Sequence, residues 1–275
     1  MMDRFARRIV CLTEETTETL YLLGEEDRIV GISGFTVRPA RARREKPKVS
    51  GFTSAKIDKI VALEPDLVLG FSDLQADIAM DLIRRGLAVH VFNHRSVEGI
   101  LDMVAMLGAL IGAPEKATAL VTQLENGIAE AERAAAQLER RPRVYFEEWN
   151  DPMISGIRWV SELIGLAGGE DCFAELACAP LAKERVIADP LEVVRRAPDI
   201  IIGSWCGKKF RPDQVAQRPG WDRVPAVRQG QLYEIKSADI LQPGPAALTD
   251  GLDQLREIVK RWATGSEPPV AAALS

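Results

Sequence analysis

Residues 114–138 read PEKATALVTQLENGIAEAERAAAQL. Apolar side chains fall at Ala117, Leu120, Val121, Leu124, Ile128, Ala131 and Leu138. Steps chiefly of three and four place them on one stripe of an α-helix, with Glu, Gln, Asn and Arg on the other faces. Pro114 suits the first helical position and Glu115 the positive end of the helix dipole. At ~1.5 Å per residue such a helix is ~35–40 Å long, about the width of a small domain. Gly127 is its expected weak point, a helix-interior glycine that costs ~1 kcal/mol relative to alanine and marks a bend or a close backbone contact.

The sequences on either side of this helix match. Upstream, RIVCL (8–12) suits a buried strand, Thr13 and Thr16 can cap a helix from Thr16 to Leu23, and Arg28–Ile32 is a second strand. Ser54 is expected to cap a helix that Pro65 stops, before a strand at Leu67–Leu69. A helix over 76–85, a strand over 88–92 and a helix over 97–111 follow. Downstream the alternation restarts, with strands over 143–146, 199–202 and 231–235 and helices over 160–166, 189–196 and 246–262. KIVALEPDLVLGFSD in the first half parallels EVVRRAPDIIIGSWC in the second, and RIVCLTEE parallels RVYFEEWN. Strands alternating with helices at this spacing predict parallel βα units, and duplication over more than 100 residues predicts two similar lobes rather than a solenoid. The expectation is an α/β protein with two Rossmann-like lobes of mostly parallel sheet bridged by one long helix. Its divisions are a first lobe over 1–112, the helix segment over 113–141, a second lobe over 142–264 and a disordered tail over 265–275.

Composition narrows the function classes. The 275 residues are 47% hydrophobic and 27% charged, a globular mixture, and the net charge of -5 argues against a nucleic-acid binder. The basic run Arg38, Arg41, Arg43, Arg44, Lys46, Lys48 reads either as a solvated loop or as a ligand-facing rim. No apolar run is long enough for a transmembrane helix, and MMDRFARRIVCLTEE lacks the apolar core of a signal peptide, so the sequence as written is expected to be cytoplasmic. The cysteines Cys11, Cys172, Cys178 and Cys206 show no metal-ligand spacing, and Cys11 reads as a buried free thiol. His90, inside an apolar strand, reads as a satisfied core residue, and with His94 as the only other histidine a metal centre is not expected. GSWCGKK departs from a phosphate-binding loop in spacing and in placing Lys209 where Ser or Thr is needed. Glu147 and Glu148 alternate across a strand and cannot face one substrate, and no nucleophile–base order is present, so no enzyme is expected.

Several stretches resemble the substrate-binding proteins of ABC importers that have a single rigid interlobe helix, the group serving vitamin B12 and iron–siderophores. They are RIVCLTEETTETLYLLGEEDRIVGIS, VSGFTSAKIDKIVALEPDLVLG, WNDPMISGIRWVSELIGLAGGEDCF and WDRVPAVRQGQLYEI. WNDP followed by LAGG is most similar to the cobalamin-binding branch. The resemblance implies capture of a cobalamin-type corrinoid or a ferric siderophore in a cleft between lobes, without chemistry or cofactor, by a monomer that docks on an ABC permease dimer. It also implies an acidic residue on each lobe for that docking: Asp58 in the first, and Glu192 beside the matching Leu191 in the second. A stiff interlobe helix implies only small hinge motion. A cytoplasmic corrinoid- or metabolite-handling protein on the same fold, uncoupled from any permease, is the other reading.

Open α/β sheets bind ligands at the carboxyl ends of their strands, so the strand-end loops supply the candidates. They are Thr13, Glu14, Phe35, Arg38, Phe52, Phe71, Asn93 and His94 in the first half. In the second half they are Glu148, Trp149, Asn150, Trp159, Trp205, Lys208, Lys209, Asp239 and Gln242. The aromatic residues suit a planar corrin, whereas Arg38, Lys208 and Lys209 suit an anionic siderophore. Trp159 reads equally as an anchor of the helix that follows it.

Overall fold

The computed structural model describes residues 5–265, and the expected tail lies, from residue 266, outside the described residues. In the first half, the short apolar runs become β1 (Ile9–Cys11), β2 (Ile29–Ser33), β3 (Lys48–Ser50), β4 (Leu67–Phe71) and β5 (Val89–Phe92). All pair in parallel, in the order β3-β2-β1-β4-β5. Every residue of β1 and β4 is buried, as expected for central strands of a parallel sheet with helices on both faces. On one face Val10, Leu12, Val49, Val68, Ile60, Ile78 and Leu82 form a core.

The second half repeats the plan with β6 (Arg143–Asn150), β7 (Met153–Ser155), β8 (Glu170–Asp171), β9 (Ile200–Gly203) and β10 (Leu232–Glu234). The order is β10-β9-β6-β7; β8 pairs with the start of β6, and β7 runs antiparallel along its end. Its core gathers Tyr145, Phe173, Ile201, Trp205, Phe210 and Trp221. The chain divides into two units: residues 1–94, 98–125 and 242–245, and residues 95–97, 126–241 and 246–275.

The duplicated Pro-Asp pairs perform one task twice. Ahead of each proline a non-glycine residue takes a positive φ of 47°, Ala197 as the C-cap of its helix and Glu64 after the turn that follows Val61. Asp66 then accepts hydrogen bonds from the Arg7 and Arg8 amides at 2.8 and 2.9 Å. Asp199 accepts one from the Arg143 amide at 2.9 Å. Each aspartate thus ties the strand it introduces to the first strand of its unit, which fixes register at the entry edge. Asp199→Ala is expected to lower the stability of the second unit by about 1–2 kcal/mol in urea unfolding, since it strips a charge-assisted bond from an otherwise unpaired amide.

The helix Pro114–Ala135 is one continuous element, three residues shorter than expected and ~33 Å long at 1.5 Å per residue. The boundary between the units falls within it, after Glu125. Ala117 packs on Gly108 of the helix Val97–Leu110 so closely that a Cβ there would lie 2.2 Å from the Ala117 Cβ. In its second half Ala131 is buried and Glu130 pairs with Arg256 at 3.1 Å. Gly127 has no close neighbour for a side chain to meet, so the close contact expected there is not found.

Other boundaries shift for local reasons. The first helix is Glu14–Leu22, two residues earlier than expected, and Thr13 stands at its N-cap without capping, its hydroxyl donating to the Glu15 carboxylate instead. Ser54 does not cap either. Residues 51–54 close a turn (Gly51 N to Ser54 O, 2.7 Å), and the helix starts only at Ile57. The closing helix, expected from 246, begins with a π-turn at Ala247–Gly251 and becomes regular over Leu252–Ala263. His90 lies half-buried on the edge strand β5 beside Phe92, at 4.4 Å between ring centroids, rather than satisfied in a core. Cys11 is buried, and burial pushes its thiol up to about 12.

Candidate functional site

In the first unit the strand order reverses between β1 and β4, so the loops that follow them part to opposite faces and leave a crevice at their carboxyl ends. Thr13, Glu14, Phe71 and the residues around them lie there by topology alone. Gln75, fully buried, joins three of these loops. Its Oε1 accepts from the Phe71 amide at 2.9 Å, and its Nε2 donates to the carbonyls of Phe52 at 2.8 Å and Leu12 at 3.5 Å. Residues 242–245 close in on the same edge: His94 Nε2 lies 2.8 Å from the Pro243 carbonyl, and Gly244 sits against Glu15. Gln242, half-buried, is brought beside the β1 loop in this way.

The helix that starts here carries Glu14, Glu15 and Glu18, all buried. Glu14 Oε2 accepts from the Val37 amide at 2.6 Å, while Oε1 is buried without a hydrogen-bond partner. Burial pushes the Glu14 carboxyl up to about 8, helped by Glu18 and Glu15 and opposed by the Val37 amide and Arg38. Glu15 rises to about 7, again through burial, against the Thr13 hydroxyl. Arg38 pairs with Glu18 at 2.9 Å. Elsewhere in the basic run Arg41 pairs with Glu26, Arg43 donates to the Thr36 carbonyl and Lys46 to the Glu26 carbonyl. This edge of the first unit thus has Arg38 and Arg41 paired with carboxylates, whereas Arg43 and Lys46 spend their hydrogen bonds on neutral carbonyls. Its exposed groups are aromatic, with Phe35 69% and Phe52 36% exposed, whereas Phe71 is buried edge-on to His94 at 5.2 Å. A separate open depression of about 670 Å³ lies between Ser72, Asn93 and the apolar Met80 and Ile83, and Asn93 is the only candidate on it.

The second unit reverses its order between β6 and β9, which places Glu148, Trp149 and Asn150 beside the 204–210 loop. Trp149 is half-buried, its indole N–H donating to the Asp151 carbonyl at 2.8 Å. Lys208 Nζ donates to Asn150 Oδ1 at 3.0 Å and lies over two indoles, 5.5 Å from Trp149 and 5.1 Å from Trp205. Lys209 is exposed. Trp205, expected on a ligand-facing wall, is instead in the core at 3% exposure. The reason is the turn after β9: Phe210 folds back into the space a Cβ on Gly203 would fill, 1.8 Å away, and Trp205 packs edge-on against it at 5.1 Å. Trp159 is likewise buried and its indole N–H donates to the Ile240 carbonyl at 2.9 Å, so it anchors its helix. Asp239 is held by Gln254 at 3.2 Å.

Beneath this edge lies a polar network that periodicity alone does not reveal. Glu147 is completely buried and receives both Arg218 guanidinium nitrogens (2.5 and 2.9 Å), the Trp205 indole (3.0 Å) and the Tyr145 hydroxyl (2.8 Å). Glu148, pointing the other way along the strand, pairs with buried Arg185 at 2.6 Å. The two neighbouring carboxylates thus serve separate partners, in keeping with strand alternation.

Of the two expected docking carboxylates, Asp58 is exposed and pairs with Arg85 at 2.9 Å. Glu192 is half-buried and already engaged by Arg195 at 2.7 Å and Arg196 at 2.9 Å, while Leu191 beside it is exposed. Among the described residues no group of three or more His, Cys, Asp or Glu side chains converges as a metal site, and no helix is long and apolar enough to cross a membrane.

Two α/β units with matched switch points, sharing one continuous helix, agree with a sequence comparison in which the family described as "Periplasmic binding protein" matches residues 9–238. The chain belongs to the periplasmic binding protein family. A vitamin B12-binding protein of Vibrio parahaemolyticus is 24% identical over 251 residues, 90% of this chain and 88% of the relative. Among solved structures, the vitamin B12 binding protein of Vibrio cholerae superposes with a TM-score of 0.74 at 21% identity, covering 94% of this chain and 98% of the other. A heme-binding protein from Roseiflexus gives 0.77 at 22% identity, covering 92% and 99%. Periplasmic binding proteins of this family hold a small-molecule ligand for an ABC permease and do not transform it, so this chain is a non-catalytic binding protein.

Proposed function

We propose that this periplasmic binding protein captures a cobalamin-type corrinoid on the strand-end loops of its sheets and presents it to an ABC permease. The observation that supports this most is the combination of exposed rings with cancelled charge: Phe35, Phe52 and Trp149 offer apolar faces, while Glu14 is held protonated at neutral pH and Arg38 is bound to Glu18. A corrin ring rimmed by neutral amides suits such a surface, whereas a polyanionic ferric siderophore requires uncompensated cations. The relatives named for vitamin B12 favour the same ligand class. Gln242 in the first unit and Asn150 in the second are each suited to bond amides, while Thr13 and Phe71 are buried and support the first unit's edge from beneath. Asp58 is the docking carboxylate of the first unit. Glu192 fills that role in the second only if permease arginines displace Arg195 and Arg196, and the binding-competent form is a monomer.

Titration of the purified chain with cyanocobalamin, hemin and a ferric hydroxamate, followed by quenching of tryptophan fluorescence and by calorimetry, tests this. Cobalamin is expected to bind with a Kd of roughly micromolar or tighter, about -8 kcal/mol or more favourable, and the other two at least about tenfold more weakly. Absence of corrinoid binding, or preference for either iron ligand, overturns the reading. Fractionation of the native cells separates delivery to a permease from the cytoplasmic handling of corrinoids.

A further inference from the structure

Lys208 stands on the strand-end edge of the second unit, among arginines that are paired. Arg185, Arg195, Arg196 and Arg218 all pair with carboxylates. Lys208 forms no ion pair among the described residues; its ammonium donates to the neutral amide of Asn150 and lies over the Trp149 and Trp205 rings. Asn150 ends β6 and Lys208 follows β9, so the contact holds the two loops of the switch point at one place. Gly207, at φ +69, with nothing near it, lets the chain turn so that Lys208 comes back over Trp149. An ammonium held over a half-exposed ring, without a carboxylate partner, is arranged for a ligand that carries a planar heterocycle next to an anionic group. The ring takes the Trp149 face and the anion takes Nζ, which releases the Asn150 amide to bond the ligand as well.

We propose that Lys208, with Trp149 and Asn150, is a specificity site for the phosphodiester-linked aromatic base of a complete corrinoid. This rests on the corrinoid reading above and deepens it, assigning the base and its one phosphate to the strand-end edge of the second unit. A corrinoid that lacks the nucleotide, such as cobinamide, has nothing to offer this site.

The experiment compares cyanocobalamin with dicyanocobinamide on the full chain, in the wild type, in Lys208→Met, which keeps the stem and loses the charge, and in Lys208→Arg. The wild type is expected to prefer cobalamin by roughly tenfold, the usual scale of one charge-assisted hydrogen bond. Lys208→Met loses that preference by weakening cobalamin alone, Lys208→Arg keeps most of it, and added salt weakens cobalamin binding in the wild type but not in Lys208→Met. Equal affinity of the wild type for the two corrinoids, or a proportionate loss of both in Lys208→Met, overturns the site and leaves the corrinoid reading standing. Binding of neither corrinoid by any variant overturns both.

Discussion

Arg218→Met is expected to cost the second unit about 3–5 kcal/mol, because it leaves the Glu147 carboxylate buried with its main charge partner gone. Glu147 is at 0% exposure, and the two guanidinium bonds are its charge compensation. The Trp205 indole and the Tyr145 hydroxyl remain as donors, but neither carries charge. The double variant Glu147→Leu, Arg218→Met removes both charges, and is expected to recover most of the loss, since a buried ion pair and an apolar pair of similar volume are often close in stability. Urea unfolding followed by tryptophan emission reads this directly, because Trp205 and Trp221 both touch the network. A double variant as unstable as the single one would show that the pair's worth lies in orienting the strand-end loops rather than in compensated charge.

The second expectation concerns pH. Glu14 and Glu15 have folded-state pKa values of about 8 and about 7, above the ordinary carboxylate value of 4.5. Between the unfolded and folded values the native state holds more protons than the unfolded chain, so stability falls as pH rises through that window. The first unit should therefore be most stable near or below pH 4.5 as far as these two groups are concerned. It should lose on the order of 2–4 kcal/mol by pH 8 to 9, counting the two as a coupled pair. Glu14→Gln keeps the acceptor for the Val37 amide, removes the ionisation, and is expected to flatten much of this slope. Urea midpoints of wild type and variant at pH 5.5 and 8.5 provide the check. A wild type that gains stability across that range would contradict the burial of these carboxylates. The same titration would weaken ligand capture at alkaline pH, through appearance of a charge beside the aromatic edge.

Much of this protein is local in origin, and that part was legible. The repeat of Pro-Asp before an apolar strand has one physical cause in both halves, since proline ends the helix and aspartate takes the amides of the neighbouring strand. The apolar period of residues 114–138 sufficed for the long helix, because a helix is a property of contiguous residues. Positions at strand ends were legible for the same reason, and with them Thr13, Glu14, Trp149, Asn150 and Lys208.

What a strand-end side chain does there was not legible. Trp149 lies at the end of β6 and Trp205 just after β9, yet one borders solvent and the other is core, because Phe210 folds back onto Gly203. Gln75, Arg185 and Arg218 carry no sequence signal, since the contacts that define them, to Phe52, Glu148 and Glu147, lie 23 to 71 residues away along the chain. Sequence alone determined two α/β halves, the helix that contains their boundary and the edges where a ligand is met. Tertiary structure alone decided which charges on those edges are cancelled and which remain, because hydrogen bonds and desolvation depend on neighbours in space, and the duplicated pattern constrains only neighbours along the chain.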